Sequence, residues 1–96
     1  MAQRNYIKEM NDFYDLLELN PVSASAIVLW SALMHINNKY RWKLGFTVAI
    51  STLEVKTSLK RRTIERARNE LKQRGLIKWR SRRGNQSAMY EMIPVA

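Results

Sequence analysis

Basic side chains are concentrated in one quarter of this 96-residue chain. The segment from Lys60 to Arg83 contains eleven lysines and arginines against two acids, so its net charge of +9 equals that of the whole chain. The rest of the chain is neutral, with six basic and six acidic residues. A localised positive charge attracts polyanions, nucleic acid among them. The alternative is a solvated face that aids solubility, but solubility does not require the charge to be confined to one segment.

Residues 61–74 are predicted to form a helix with two chemically different faces. Ile64, Ala67 and Leu71 fall on one side at 100° per residue, where they can pack against a core. The opposite side carries four polar residues: Arg62, Arg66, Asn69 and Gln73. In the DNA major groove, Arg can form two hydrogen bonds to guanine, and Asn and Gln can form two to adenine. We expect this face to read base edges.

The residues around the start of this helix are suited to holding phosphates. Lys60, Arg61 and Thr63 lie where free backbone N–H groups and the positive end of the helix dipole favour an anion. A preceding helix over residues 48–57, with Thr47 as its N-cap, would cross the DNA backbone as the first helix of a helix-turn-helix. Its candidate backbone contacts are Ser51, Thr52 and Lys56. Its apolar positions expected to face the core are Ile50, Leu53 and Val55.

A basic β-hairpin is predicted after this helix. Its strands run from Leu76 to Arg82 and from Ser87 to Ile93, and the polar turn between them contains glycine. The alternation of a strand places Ile77 and Trp79 on one face and basic residues on the other. The tip can touch phosphates or place Arg83 in a narrow minor groove, which attracts arginine. The hairpin residues expected to contact DNA are Lys78, Arg80, Arg82, Arg83, Asn85 and Gln86.

The first half of the chain supplies the elements that must position these side chains. Residues 3–19 carry a helical apolar stripe, with acids on an opposite, solvated face: Glu9, Asp12, Asp15 and Glu18. The helix predicted over 22–38 is apolar almost all round, which is typical of the buried centre of a domain. A loop over 39–46, with Gly45 as its turn residue, leads to a short strand at 46–48. The predicted order is α-α-(β)-α-α-β-β, a mainly α protein with a small β-hairpin, in the α+β class.

The chain lacks the residues that most catalytic and metal sites require. It has no cysteine and a single histidine, His35, so we expect neither a disulfide nor a bound metal. It has no glycine-rich phosphate loop, and we expect no cofactor and no enzymatic activity. No apolar run reaches the roughly 18 to 20 residues that span a membrane, and the start lacks a signal sequence. We therefore expect a soluble, cytoplasmic protein that does not contact membranes.

The basic segment resembles a known pattern. Residues 60–77 are similar to the stretch of winged helix-turn-helix domains that runs through the recognition helix into the wing, with Lys60 where that pattern has a small residue. The positions that carry the likeness are Thr63, Ile64, Arg66, Leu71, Gly75, Leu76 and Ile77. The resemblance implies a single winged helix-turn-helix domain over residues 1–96, with the recognition helix 61–74 in the major groove and the basic wing 78–86 on the backbone or in the minor groove.

More narrowly, the chain resembles the N-terminal winged-helix domains of DnaD-like replication proteins and phage replisome organisers of Gram-positive bacteria. The stretches that carry this likeness are residues 13–17, 29–34, 46–49 and 60–77. The resemblance implies a role in replication initiation: binding double-stranded origin DNA and helping to load a helicase. Because those proteins usually carry a C-terminal region, it also implies the N-terminal part of a longer protein, in a bacterial cell or a phage-infected host. A helicase or helicase-loader partner would then bind through regions outside this chain.

Two other functions are compatible with the same pattern. The domain can be an oligomerisation or assembly scaffold of a primosome, as a homodimer or higher oligomer. That possibility is suggested by aromatic residues outside the basic segment: Tyr6, Phe13, Tyr14, Tyr40 and Trp42. Trp42 is the tryptophan expected to be exposed, whereas Trp30 and Trp79 are expected in the core. The domain can also be a winged-helix transcriptional regulator, because one fold serves both roles.

Overall fold

Residues 5–95, the part of the chain that the computed structural model describes, form four helices and three strands in the order that the sequence predicts. The helices are α1 (Tyr6–Leu19), α2 (Ala24–Lys39), α3 (Ile50–Thr57) and α4 (Arg61–Gln73). The strands are β1 (Phe46–Val48), β2 (Ile77–Arg80) and β3 (Ala88–Met92). The predicted α+β class is confirmed. The sheet is larger than the predicted hairpin, because β1 joins β2 and β3 in a three-stranded antiparallel sheet. The predicted start of α1 at residue 3 lies outside the described residues.

Polar caps and a proline set the ends of the first two helices. Asn5 Oδ1 accepts a hydrogen bond from the backbone N–H of Lys8 in the first turn of α1, at 3.0 Å. Ser23 Oγ accepts one from the backbone N–H of Ala26 in the first turn of α2, at 3.1 Å. These bonds satisfy N–H groups that have no partner within the helix. Asn20, the C-cap of α1, precedes Pro21, which disfavours a helical conformation there.

Helix α3 begins later than predicted. Thr47, expected as its N-cap, lies in β1 opposite Met89, and the helix starts at Ile50 without a side-chain cap. The backbone N–H and C=O groups around Thr47 form hydrogen bonds with β3 instead of with a first helical turn, so this segment is a strand. Val55, expected to face the core, is 82% exposed. It lies about 200° around the helix from the fully buried Leu53, so the two side chains point in opposite directions.

The loop before β1 bends at Leu44 and Gly45, but its left-handed residues come earlier. Arg41 and Trp42 adopt left-handed φ values of 55° and 61°, whereas Gly45, the expected turn residue, is not among the residues with positive φ. Gly45 is instead close to the sheet, because a Cβ at this position would lie 3.0 Å from Sδ of Met89. The glycine therefore permits a close approach of the chain to the sheet.

Helix α2 forms the centre of the core, as its apolar surface predicts. Trp30 is 1% exposed and stacks on the fully buried Phe13 of α1, with ring centroids 3.8 Å apart. Helix α4 contributes Ile64 and Leu71, both at 0% exposure, and β3 contributes Tyr90. Because α4 buries this stripe, its opposite face is held toward solvent.

The acids of α1 do not form one solvated face, as the sequence had suggested. Glu9 is 8% exposed, because it lies one helical turn before the inward-facing Phe13. Asp12 is half-buried and accepts a hydrogen bond from Lys8 Nζ at 2.6 Å. This hydrogen bond and the opposite charge raise the pKa of Lys8. Only the remaining acids of the set are exposed: Asp15 and Glu18.

The sheet has the order β1-β3-β2, with both pairs antiparallel. The register pairs Trp79 with Tyr90, so both side chains lie on the inner face, toward the helices. Helix α4 lies on that side, since Cζ of its Arg68 is 3.9 Å from the centre of the Trp79 ring. Lys78 and Arg80 alternate with Trp79 along β2 and therefore lie on the outer face, away from α4.

Candidate nucleic-acid interface

The predicted base-reading face of α4 is exposed throughout. Arg62, Arg66, Asn69 and Gln73 are all exposed, in contrast to the buried stripe on the other side of the helix. Gly75 ends the helix with φ of 73°, the left-handed conformation expected of a residue just beyond a C-cap. Four side chains with hydrogen-bonding groups are thus presented along successive turns of one helix.

Glu70 fixes the side of α4 that faces α2. Its carboxylate accepts hydrogen bonds from the Ser23 backbone N–H at 2.9 Å and from Ser23 Oγ at 2.7 Å. The carboxylate thereby lies at the positive end of α2, where a negative charge is stabilised. Sequence reasoning missed this contact because its partners are separated by 47 residues. No local pattern links them.

Arg68 connects α4 to the inner face of the sheet. Its guanidinium stacks on Trp79, and Nη1 donates a hydrogen bond to Tyr90 Oη at 3.1 Å. Lys72, one turn later, places Nζ 5.5 Å from the centre of the same Trp79 ring. Arg68 is 9% exposed, so it lies on the packed side of the helix. Trp79, expected in the core, is half-buried between the sheet and these two side chains.

The turn between α3 and α4 is set by Thr57 and Ser58. Thr57 Oγ1 donates to the Leu53 carbonyl at 2.6 Å and accepts from the Leu59 N–H at 3.1 Å. Ser58 adopts a left-handed conformation with φ of 60°. At the start of α4, Lys60 occupies the N-cap position and makes no side-chain cap bond. The first backbone N–H groups of α4 therefore have no cap side chain as acceptor.

The connection between β2 and β3 spans residues 81–87, because both strands are shorter than predicted. Arg82 Nε donates to the Ser87 carbonyl at 2.6 Å, which closes the loop, and Gly84 has a positive φ of 64°. Arg82 is half-buried by this contact. The other predicted contact residues of the loop are exposed: Arg83, Asn85 and Gln86.

The start of α3, the start of α4 and the β2–β3 loop enclose an open groove of about 460 Å³. Several predicted contact residues from separate parts of the sequence meet in its walls: Ser51, Arg61, Arg82, Asn85 and Gln86. Two charged residues that the sequence did not assign to the site also line it, Glu54 and Arg68. Arg61 is held near Glu65, with Nε 3.5 Å from the carboxylate.

Other predicted contact residues lie elsewhere. Lys78 and Arg80 are exposed on the outer face of the sheet. Thr52 and Lys56 line a separate depression between α2 and α3, beside Tyr40. The basic residues between 60 and 83 are close together in sequence, but they lie on more than one face of the domain: the exposed side of α4, the groove and the outer face of the sheet.

The aromatic residues considered for assembly are only partly available at the surface. Phe13 is fully buried, and Trp42, expected to be exposed, is half-buried with its ring edge-on to Tyr6 at 5.9 Å between centroids. Tyr14 and Tyr40 are about half exposed, at 47% and 50%.

No family model matches the chain, and no curated protein and no solved structure matches it either. Within residues 5–95, no group of three or more His, Cys, Asp or Glu side chains is arranged to hold a metal ion. None of the helices in that range is both long and apolar enough to cross a membrane. The function must therefore be argued from the geometry of the exposed polar surface.

Proposed function

We propose that this domain is a winged helix-turn-helix that binds double-stranded DNA. In this proposal α3 and α4 are the helix-turn-helix, α4 is the recognition helix in the major groove, and the β2–β3 hairpin is the wing. The arrangement of a short helix, a tight turn and a longer helix followed by a hairpin is compatible with this class. The charge of +9 supplies attraction to the phosphate backbone.

The observation that carries the proposal is the exposed face of α4. Arg66 and Asn69 stand near its middle, while Glu70 and Arg68 anchor the same helix from behind. A rigidly held helix loses little conformational entropy when its side chains bind base edges. Arginine and asparagine are also residue types that form paired hydrogen bonds with guanine and adenine.

The proposed biological role is replication initiation. It rests on the resemblance to DnaD-like and phage replisome organiser domains, and it includes origin DNA and a helicase or helicase loader as partners. A transcriptional regulator would bind promoter fragments instead. Selection of bound fragments from a genomic library separates the two roles, since origin fragments support the first and promoter fragments the second.

DNA binding is tested by titrating labelled duplex DNA with the domain at several salt concentrations. If about five to eight phosphates are contacted, log Kd should change with log salt with a slope of magnitude about 5 to 7. Arg66→Ala should weaken binding by about five- to 150-fold, as the loss of an arginine contact to a base costs about 1–3 kcal/mol. Lys43→Ala removes the same charge from the exposed loop between α2 and β1, where no DNA contact is expected, and should weaken binding less than about threefold.

Two results would contradict the proposal. One is the absence of binding below about 100 μM at low salt, where even non-specific DNA binding is stronger. The other is equal weakening by the two substitutions, because the α4 face would then contribute only its charge.

Self-association is the second candidate, favoured by a shallow apolar depression on α1 and α2. Tyr14 and Val28 are exposed there at 47% and 38%, beside Ile27 and Ala32. A helix-turn-helix that binds a two-fold symmetric site does so as a dimer. Sedimentation at high protein concentration should then detect a dimer that Val28→Lys abolishes, and a monomer throughout would eliminate this candidate.

A further inference from the structure

Arg68 is a buried cation without an ionic partner in the described part of the chain. It is 9% exposed, and within residues 5–95 the ion pairs join other residues. Its polar contact is Tyr90 Oη, and its Nε is buried without a hydrogen-bond acceptor. The Trp79 ring and the tyrosine hydroxyl are both neutral. A buried charge that only neutral groups contact is unfavourable until an anion or a full set of acceptors accompanies it.

The groove that Arg68 lines is electropositive. Arg61 and Arg82 line it as well, and Glu54 is its one acidic residue, so the described walls carry three positive charges against one negative charge. Its rim adds hydrogen-bonding side chains from the β2–β3 loop, Asn85 and Gln86. An anion in this groove would be attracted by positive charges from two elements, α4 and the β2–β3 loop.

The start of α4 adds backbone donors on the same side. Arg61, the first residue of this 13-residue helix, lines the groove, and the N-cap Lys60 supplies no acceptor for the N–H groups of the first turn. Free N–H groups and the helix dipole together favour an anion at such a position. The guanidinium of arginine matches the geometry of phosphate oxygens.

We propose that this groove binds a phosphate group, with Arg68 in its wall and Arg61 and Arg82 at its sides. A phosphate can come from a DNA backbone or from free inorganic phosphate, and the chemistry of recognition is the same. Where the phosphate belongs to DNA, the inference rests on the proposed function. It then adds a phosphate contact in the groove between α4 and the β2–β3 loop, separate from the exposed face of α4. Arg68 then has a binding role in addition to its packing role.

The test follows the arginine Nε–H resonances of the isotope-labelled domain by nuclear magnetic resonance. The Arg68 resonance is assigned as the one missing from Arg68→Lys, while the titrations use the unmodified protein, so they do not depend on the stability of a variant. One titration adds sodium phosphate at constant ionic strength, and the other adds a short DNA duplex. We expect the Arg68 resonance to shift and saturate in at least one of them.

A matched pair of variants locates the phosphate. Arg61→Gln should weaken phosphate or DNA binding, measured at the Arg68 resonance, by about three- to tenfold, the effect of losing one hydrogen bond of typical net strength at a solvent-exposed position. Lys43→Gln removes the same charge from the exposed loop between α2 and β1, away from the groove, and should leave that affinity within about twofold. Equal effects of the two variants would overturn the proposal in favour of a general charge effect.

The remaining outcomes separate this inference from DNA binding as such. A shift of Arg68 with DNA but not with free phosphate supports a groove that takes backbone phosphate. A shift with free phosphate, combined with no DNA binding, supports the groove and refutes the proposed function. If DNA shifts Arg66 Nε–H while Arg68 is unaffected in both titrations, the groove proposal is overturned and the proposed function stands.

Discussion

Replacing Glu70 with alanine should lower the free energy of unfolding by about 1–2 kcal/mol. The carboxylate accepts two hydrogen bonds from Ser23, at 2.9 and 2.7 Å, across the contact between α4 and α2. Hydrogen bonds to a charged group contribute about 1.5–3 kcal/mol each when buried. Ser23 is exposed and Glu70 half-buried, so solvent reduces each to about 0.5–1 kcal/mol. In a domain of this size, 1 kcal/mol corresponds to about 4–8 °C in Tm.

Urea and thermal unfolding, followed by circular dichroism, measure this loss. The matched control is Glu65→Ala in the same helix, where the carboxylate makes only an exposed pair with Arg61 at 3.5 Å. Such a pair contributes about 0–0.5 kcal/mol, so the control should unfold almost as the parent does. In a double-mutant cycle, Ser23→Ala and Glu70→Ala should couple by about 0.5–1 kcal/mol. Equal losses in the Glu70 and Glu65 variants, or additive effects in the cycle, would refute the anchoring of α4 by this contact.

Two further predictions concern stability and use the same unfolding assays. Phe13→Ala should lower the free energy of unfolding by about 3–5 kcal/mol, because the ring is fully buried and stacked on Trp30. Tyr14→Ala truncates the half-exposed neighbour and should lower it by less than about 1.5 kcal/mol; similar losses in the two variants would contradict the orientation of α1. Gly75→Val should lower the free energy of unfolding by about 1–2 kcal/mol or more, because a β-branched residue is strained at φ of 73°. Gly75→Asn should lower it less, because asparagine tolerates this conformation, and the reverse ranking would contradict the left-handed turn after α4.

The sequence predicts α4 accurately because several independent signals agree there. The apolar spacing of Ile64 and Leu71, the polar residues opposite, and Gly75 after the last turn all indicate the same helix in the same orientation. Where two local signals conflict, the prediction fails. Thr47 is as suitable for an N-cap as for a strand, and only pairing with β3, some forty residues later, decides in favour of the strand.

The candidate site was harder to predict than the helices, since it depends on how distant segments meet. Alternation along β2 correctly separates Lys78 from Trp79, but it does not reveal that α4 lies on the tryptophan side. The groove joins α3, α4 and the β2–β3 loop, and its buried Arg68 has partners in both strands of the hairpin. Such contacts depend on the sheet order, which local sequence patterns do not encode.

The central position of β3 in the sheet has a consequence for synthesis on the ribosome. The neighbours of β3 on its two sides are β1 and β2, and these two strands are not hydrogen-bonded to each other. Nascent chains that have not yet exposed residues 88–92 therefore cannot form any of this sheet, although all four helices have already been made. The sheet and the β2–β3 loop would then be assembled only after the helices. Folding intermediates should accordingly be helical and lack the groove.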